Sequence, residues 1–183
     1  MDVVIRPAGG DEVAVLNDVE RDGDRRYVGY DGIPAGFDDV VALSTLTEAQ
    51  DEGRLWVAVS MAGAVTGAGS DDGAIVGFAL AHEVDGHAHL AQLSVRLGWQ
   101  GRGLGRRLMA AVCRWAQDRS MGAVTLCTFS DVAWNRPFYE RAGFVVLPEA
   151  QWTPGLRCVF EGDAALGLDL TRRVVMRLAL SGG

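Results

Sequence analysis

The residues most able to do chemistry lie in the run Gln100-Gly101-Arg102-Gly103-Leu104-Gly105-Arg106-Arg107. Chain without side chains lets a ligand approach closely, so several amide N–H groups can converge on one anion. A strongly amphipathic segment follows at once, and a helix beginning there adds partial positive charge at its N-terminus. Arg102 and Arg106 add whole charges, and together these features suit a pyrophosphate. The plainer reading of the same residues is a tight turn carrying surface arginines. Further along, Tyr139 stands four residues after Asn135, which puts both on one helical face. Its phenol could give a proton, or it could be an aromatic packed beside Phe138. His82, His87 and His89 fall on one hairpin, and alternation sets them on one face. No cysteine or further histidine lies near them, so no metal site is predicted.

Two other phosphate motifs fail on inspection. A Walker loop ends in Gly-Lys-Ser/Thr, where this run has Gly-Arg-Arg. The dinucleotide fingerprint needs its third glycine at position 106, which is arginine, and no acidic residue follows a second strand at the required distance.

The elements that must position these residues can be read from periodicity. Val3 to Ile5, Leu55 to Val59, Ala74 to Glu83, His87 to Val95, Val124 to Phe129, Phe144 to Leu147 and Val174 to Leu180 read as strands. Asp85-Gly86 is a favoured two-residue hairpin turn. Helices are predicted over Asp11 to Arg21, Asp38 to Glu52, Gly103 to Arg119 and Val132 to Ala142, with another starting at Thr153-Pro154. In the helix after the glycines, Leu104, Leu108, Ala111, Val112 and Trp115 form the apolar stripe. Tyr27 to Phe37 and the glycine-rich stretch from Met61 to Gly73 read as loops. The glycine run therefore sits between a strand and a helix, the context an anion site needs.

The chain has 183 residues and is 49% hydrophobic, which suits one α/β domain over residues 1–183 with a sizeable core. A net charge of −7, from 24 acidic and 17 basic residues, speaks against a nucleic-acid partner. One basic loop on an acidic background could bind an anionic cofactor there and a cationic substrate elsewhere. No apolar run approaches the ~20 residues that span a bilayer, and the opening MDVVIRPAGG lacks the pattern of a secretory signal, so no membrane partner and a cytoplasmic location are predicted. Cys113, Cys127 and Cys158 are odd in number and widely spaced, and read as free thiols.

Leu93-Ser94-Val95 followed by Gln100-Gly101-Arg102-Gly103-Leu104-Gly105 resembles motif A of the GNAT superfamily of N-acetyltransferases, Gln/Arg-x-x-Gly-x-Gly/Ala. Asn135-Arg136-Pro137-Phe138-Tyr139-Glu140-Arg141-Ala142-Gly143-Phe144 is similar to its motif B. The resemblance extends from Ile5-Arg6-Pro7 to the last strand, and it implies a mixed, mostly antiparallel sheet flanked by helices, with its fourth and fifth strands splayed. It also implies acetyl-CoA as co-substrate and no metal. The backbone of Leu93 and Val95 would bond the pantetheine arm, and the Val95 N–H could polarise the thioester carbonyl. The amides of Gly101, Gly103, Leu104, Gly105 and Arg106, with Gln100 and Arg102 beside them, would hold the pyrophosphate. Asn135 would anchor the cofactor, and Tyr139 would protonate the leaving thiolate.

An amine attacking a thioester must lose a proton, so a base is also needed. Related acetyltransferases place a base at the position of His89, six residues before Val95, or two residues later, where this chain has Ala91. That departure shifts the expectation to His89, with an apparent pKa near the ordinary ~6.5, or to a water chain. The predicted activity is transfer of acetyl to an amine by direct attack in a ternary complex. The partner is a small-molecule or peptide amine, and a homodimer is left open. The alternatives are transfer of a longer acyl group, or an acyl-CoA-binding sensor without turnover.

Overall fold

Alternation of apolar residues, glycine stops and proline starts produces a mixed sheet with helices in the computed structural model, which describes residues 2–34, 40–61 and 73–180. In chain order the elements are β1 (Val3–Pro7), α1 (Leu16–Asp24), α2 (Leu43–Asp51), β2 (Leu55–Ser60), β3 (Ile75–Val84), β4 (His87–Val95), α3 (Leu104–Asp118), β5 (Ala123–Phe129), α4 (Arg136–Arg141), β6 (Val145–Val146), α5 (Pro154–Ala165) and β7 (Arg173–Ala179). The seven strands form one open sheet in the order β1-β2-β3-β4-β5-β7-β6. Neighbours run antiparallel at β1–β2, β2–β3, β5–β7 and β6–β7. The β3–β4 hairpin turns on Asp85 and Gly86 with φ of 50° and 76°, the positive pair that a type I′ turn requires.

β4 and β5 pair in parallel, and their ladder covers Ala88↔Val124 and His89↔Thr125. β4 has nine residues and β5 seven, so most of each strand lies beyond the ladder. This is the splayed arrangement of the fourth and fifth strands.

The described chain divides into two compact units, and β3, β4 and α3 each contribute residues to both. The first comprises Met1–Val28, Val40–Ala81 and Gln92–Val112. Its core joins Val13, Leu16 and Val19 to Leu46, Val57, Phe78 and Leu80. Leu16 and Val19 of α1 are fully buried, each worth about 1.5–3 kcal/mol relative to exposure. The second comprises Gly29–Asp39, His82–Ala91 and Cys113–Gly183. In it Leu147, Leu156 and Val175 pack with Val84, Cys127, Trp152 and Phe160.

Three sequence expectations change. The helix expected over Asp11 to Arg21 is a 3₁₀ turn, Gly10–Val15, followed by α1. Glu12 is drawn back to cap this entry, accepting from the Gly9 N–H at 2.7 Å and from Arg6. The helix expected from Val132 shortens to Arg136–Arg141, because Pro137 has no N–H to give and its ring would strike the carbonyl four residues back. The helix placed at Asp38 to Glu52 runs over Leu43–Asp51. Residues 35–39 and 62–72, parts of the two expected loops, lie outside the described residues.

Candidate functional site

The glycine run leaves the 3₁₀ turn Leu97–Trp99 and opens α3. Gly101 and Gly103 have φ of 74° and 78°, a region that costs other residues about 1–2 kcal/mol. A Cβ on either would meet no heavy atom within 4 Å, so the fold does not need that space for its own packing. The Arg107 N–H bonds the Gly103 carbonyl at 3.2 Å, which makes Gly103 the residue that caps α3. The amides of Leu104, Gly105 and Arg106 are then the first-turn donors that no helix satisfies internally. Arg106 is exposed beside them, and Leu104 is buried as the anchor of the helix.

Two of the residues expected on the cofactor, Gln100 and Arg102, make contacts within the protein. Gln100 Nε2 donates to the carbonyl of Val95 at 2.9 Å and to that of Gly23 at 3.3 Å, while its Oε1 accepts from Arg26 at 3.0 Å. The Arg102 guanidinium lies 4.8 Å from the centre of the Trp99 ring and donates to the Gly98 carbonyl at 2.9 Å.

The end of α1 docks against β4 and this turn. A Cβ on Gly23 would fall 2.9 Å from the Val95 carbonyl oxygen, so only glycine lets the helix come so close. Asp22 accepts from the Leu97 N–H at 2.9 Å. Glu20, only 4% exposed, accepts from Gln92 and from the Val41 N–H. Burial raises the Asp24 carboxyl from the ordinary aspartate range to about 6. Leu93 and Val95 are half-buried, and Ala91 is exposed.

In the second unit, Asn135 precedes α4, and its carbonyl accepts from the N–H groups of Phe138 at 2.9 Å and Tyr139 at 3.2 Å. The half-buried Tyr139 ring stands edge-on to Phe138 and Phe144, with centroids 5.0 and 5.8 Å away. His89 is 3% exposed, and its Nδ1 lies 2.9 Å from the Thr125 hydroxyl, which donates in turn to the Ala88 carbonyl at 3.2 Å. A hydroxyl has one proton, so the imidazole donates from Nδ1 and keeps its lone pair on Nε2. Burial pushes its pKa down to about 4, with smaller contributions from His82 and Arg173. This differs from the value near 6.5 expected from sequence. His87 is half-buried, and its buried Nδ1 has no hydrogen-bond partner among the described residues. Burial holds the thiol of Cys127 up at about 12, with Asp163 adding to the effect, and a thiol that stays protonated is a poor nucleophile. No group of three or more His, Cys, Asp or Glu placed to hold a metal occurs among the described residues. No helix among them is long and apolar enough to cross a membrane.

A family model described as the acetyltransferase (GNAT) family matches residues 35–144. The chain belongs to this family. GNAT relatives also share its fold. The PaiA N-acetyltransferase of Thermoplasma acidophilum, in complex with coenzyme A, superposes with a TM-score of 0.70 at 13% identity, covering 98% of this chain and 100% of that one. N-acetylglutamate synthase of Neisseria gonorrhoeae, complexed with coenzyme A and N-acetyl-glutamate, gives 0.69 at 17% identity, covering 99% of this chain and 36% of that one. The ribosomal-protein-S18-alanine N-acetyltransferase of Escherichia coli gives 0.64 at 17% identity, covering 100% and 96%. One name specifies an amino-acid derivative and another a protein alanine, so the shared GNAT fold does not select the acceptor.

Sequence reasoning missed the α1 carboxylates and a cluster in the second unit. There Tyr30 donates to Asp131 at 2.6 Å, while Arg172 pairs with both Asp131 at 2.7 Å and Asp31 at 2.5 Å. The density of acids in Glu20-Arg21-Asp22-Gly23-Asp24 was a visible signal, but amphipathic surface helices carry such runs routinely.

Proposed function

We propose that this protein transfers the acetyl group of acetyl-CoA to a small-molecule or peptide amine, by direct attack within a ternary complex. The observation that supports it most is the turn at 100–106: left-handed at two glycines, open above both, and leading into a fifteen-residue helix. The amides of Gly101, Gly103, Leu104, Gly105 and Arg106 hold the pyrophosphate, as fixed donors at a helix N-terminus do. Gln100 acts one step removed, by fixing the Val95 carbonyl. Arg102, exposed beside the turn, adds positive charge there.

In this reading the backbone of Leu93 and Val95 aligns the pantetheine arm, and the Val95 N–H polarises the thioester carbonyl. The acceptor nitrogen forms the C–N bond as the C–S bond breaks, leaving the electron pair on sulfur. Tyr139 gives that thiolate a proton, and Asn135 anchors the cofactor beside it. No cysteine takes part, in keeping with the protonated, half-buried state of Cys127. A base must still take the proton from nitrogen. His89 remains a candidate, with Nε2 as the acceptor, although its depressed pKa makes it a weak one.

Ala91 favours a second reading, an acyl-CoA-binding sensor without turnover, because its position on β4 offers no carboxylate. Calorimetry with acetyl-CoA and CoA, followed by a thiol-release assay across an amine panel with mass spectrometry of the products, separates the two. Binding with an acetylated amine supports the transferase, binding without product supports the sensor, and no binding at millimolar ligand overturns both.

A further inference from the structure

In the second unit the starts of β4 and β5 and the end of β7 present side chains to one face. His89 registers with Thr125, and Thr125 with Arg177, while His87 shares the parity of His89. The β3–β4 hairpin meets the entry to α5 there, where Asp85 accepts from the Gly155 N–H at 2.7 Å and from the Thr153 hydroxyl. A cavity of about 250 Å³ lies between these elements. Val84, Leu147 and Leu156 give it apolar walls, and His87, Thr125 and Arg177 give it polar ones. Every one of these residues belongs to the second unit, and the proposed acetyl transfer uses none of them.

The half-buried arginines of this unit differ in what they hold. Arg136 pairs with Glu140, Arg157 with Glu149, Arg172 with Asp31 and Asp131, and Arg173 with Asp163. Arg177, half-buried like them, has no ion pair or hydrogen bond among the described residues. A guanidinium stays charged and carries five N–H donors in a planar fork, so this wall of the cavity is a donor set without an acceptor. His87 is the second such group. It feels the charge of Asp85 but makes no hydrogen bond among the described residues. Nothing therefore fixes its ring, and a half-turn about Cβ–Cγ brings a nitrogen to the edge where a carbon stood.

The other polar groups are already engaged. The Thr125 hydroxyl bonds the Ala88 carbonyl at 3.2 Å. At the start of α5 the Gly155 N–H goes to Asp85, and the Leu156 N–H goes to the Thr153 hydroxyl at 3.4 Å. One planar fork beside an unanchored imidazole suits a planar monoanion, since a single guanidinium can meet both oxygens of a carboxylate. A phosphate would need donors on more sides than this. The volume falls below the ~300–1,000 Å³ of drug-sized pockets, which selects a compact molecule.

We propose that this cavity binds a small carboxylate with a short aliphatic tail. The carboxylate pairs with Arg177 and bonds His87, and the tail lies against Val84, Leu147 and Leu156. The site goes beyond the transferase reading and stands whether the chain transfers acetyl or only binds acyl-CoA.

The test titrates 4-methylpentanoate into the full chain without acetyl-CoA, following backbone amide shifts by NMR and affinity by calorimetry. The uncharged 4-methylpentanamide and inorganic phosphate are run beside it. The acid should bind saturably at millimolar concentration, with shifts centred on the β3–β4 hairpin, Thr125 and the start of α5. The amide should bind ~10-fold more weakly or worse, because the charged hydrogen bonds are lost. Phosphate should leave these amides unmoved. Arg177→Gln should weaken the acid by a similar factor, and Arg177→Lys, which keeps the charge without the fork, by less. Equal binding of acid and amide, shifts centred elsewhere, the same shifts with phosphate, or wild-type affinity in Arg177→Gln overturns the proposal. If Arg177→Gln does not fold, the comparison of acid with amide in wild type still decides. Acetyl-CoA is absent throughout, so failure of the transferase reading would leave these results untouched.

Discussion

Gln100 Nε2 sits 2.9 Å from the carbonyl oxygen of Val95, so one side chain ties the start of the glycine-rich turn to the end of β4. The same amide reaches the Gly23 carbonyl, which joins α1 to both. A glutamine at this point acts as a spacer with two fixed arms, and in the proposed transferase its contribution to cofactor binding would run through the backbone it holds.

Gln100→Ala should therefore weaken acetyl-CoA binding without removing any atom that touches the cofactor. Leaving the two carbonyls without this donor should also cost about 1–3 kcal/mol of stability. Calorimetric affinity and thermal denaturation read the two effects, and an unchanged Kd for acetyl-CoA would show that the tether does not shape the site.

At Gly103 the argument is backbone geometry. Its φ of 78° is costly for any residue with a Cβ, and more so for a β-branched one. Gly103→Val should lose about 1–2 kcal/mol of stability and also bind CoA much more weakly, because the new side chain fills the space above the turn. A variant that is merely less stable, with wild-type CoA affinity, would place the phosphates elsewhere.

Tyr139→Phe keeps the ring contacts with Phe138 and Phe144 and removes only the hydroxyl. The expected result is a kcat lower by ~10²–10⁴-fold, the usual range for a general acid, with acetyl-CoA affinity nearly unchanged. Wild-type turnover in this variant would remove Tyr139 from the mechanism.

Much of this arrangement was legible in the sequence because it rests on local rules. Gly101, Gly103 and the apolar stripe from Leu104 to Trp115 announce a turn and a helix, Asp85-Gly86 announces a hairpin, and Thr153-Pro154 announces the start of α5. The two motifs gave the family for the same reason, since each is a contiguous run. What stayed hidden depends on partners distant in sequence. Gln100 meeting Val95 and Gly23, and Glu20 meeting Gln92, are tertiary facts that periodicity does not encode. Pro137 is a different case: its effect on α4 is local, and the helical pattern around it masked the steric rule.

The strongest departure from expectation concerns His89, and its consequences can be measured through pH. Its folded-state pKa is depressed to about 4, while an unfolded chain holds histidine near ~6.5. Between those values the unfolded state binds more protons than the folded one, so stability falls as pH drops from about 6.5 towards 4. The shift corresponds to a loss of at most ~3 kcal/mol once pH is below 4. His89→Gln cannot titrate, so the stability of wild type relative to this variant should fall across that window and be flat from pH 7 to 8. The catalytic consequence follows from the same number. An imidazole that is neutral throughout the range from pH 5.5 to 8 imposes no limb there, so His89→Gln should keep the wild-type shape of kcat/KM against pH. A modest, pH-independent drop in rate fits a residue that holds β4 to Thr125 where the two strands still pair. Loss of an acid limb near 6.5 in the Gln variant, seen with two amines of different basicity, benzylamine and methoxyamine, would instead make His89 the base.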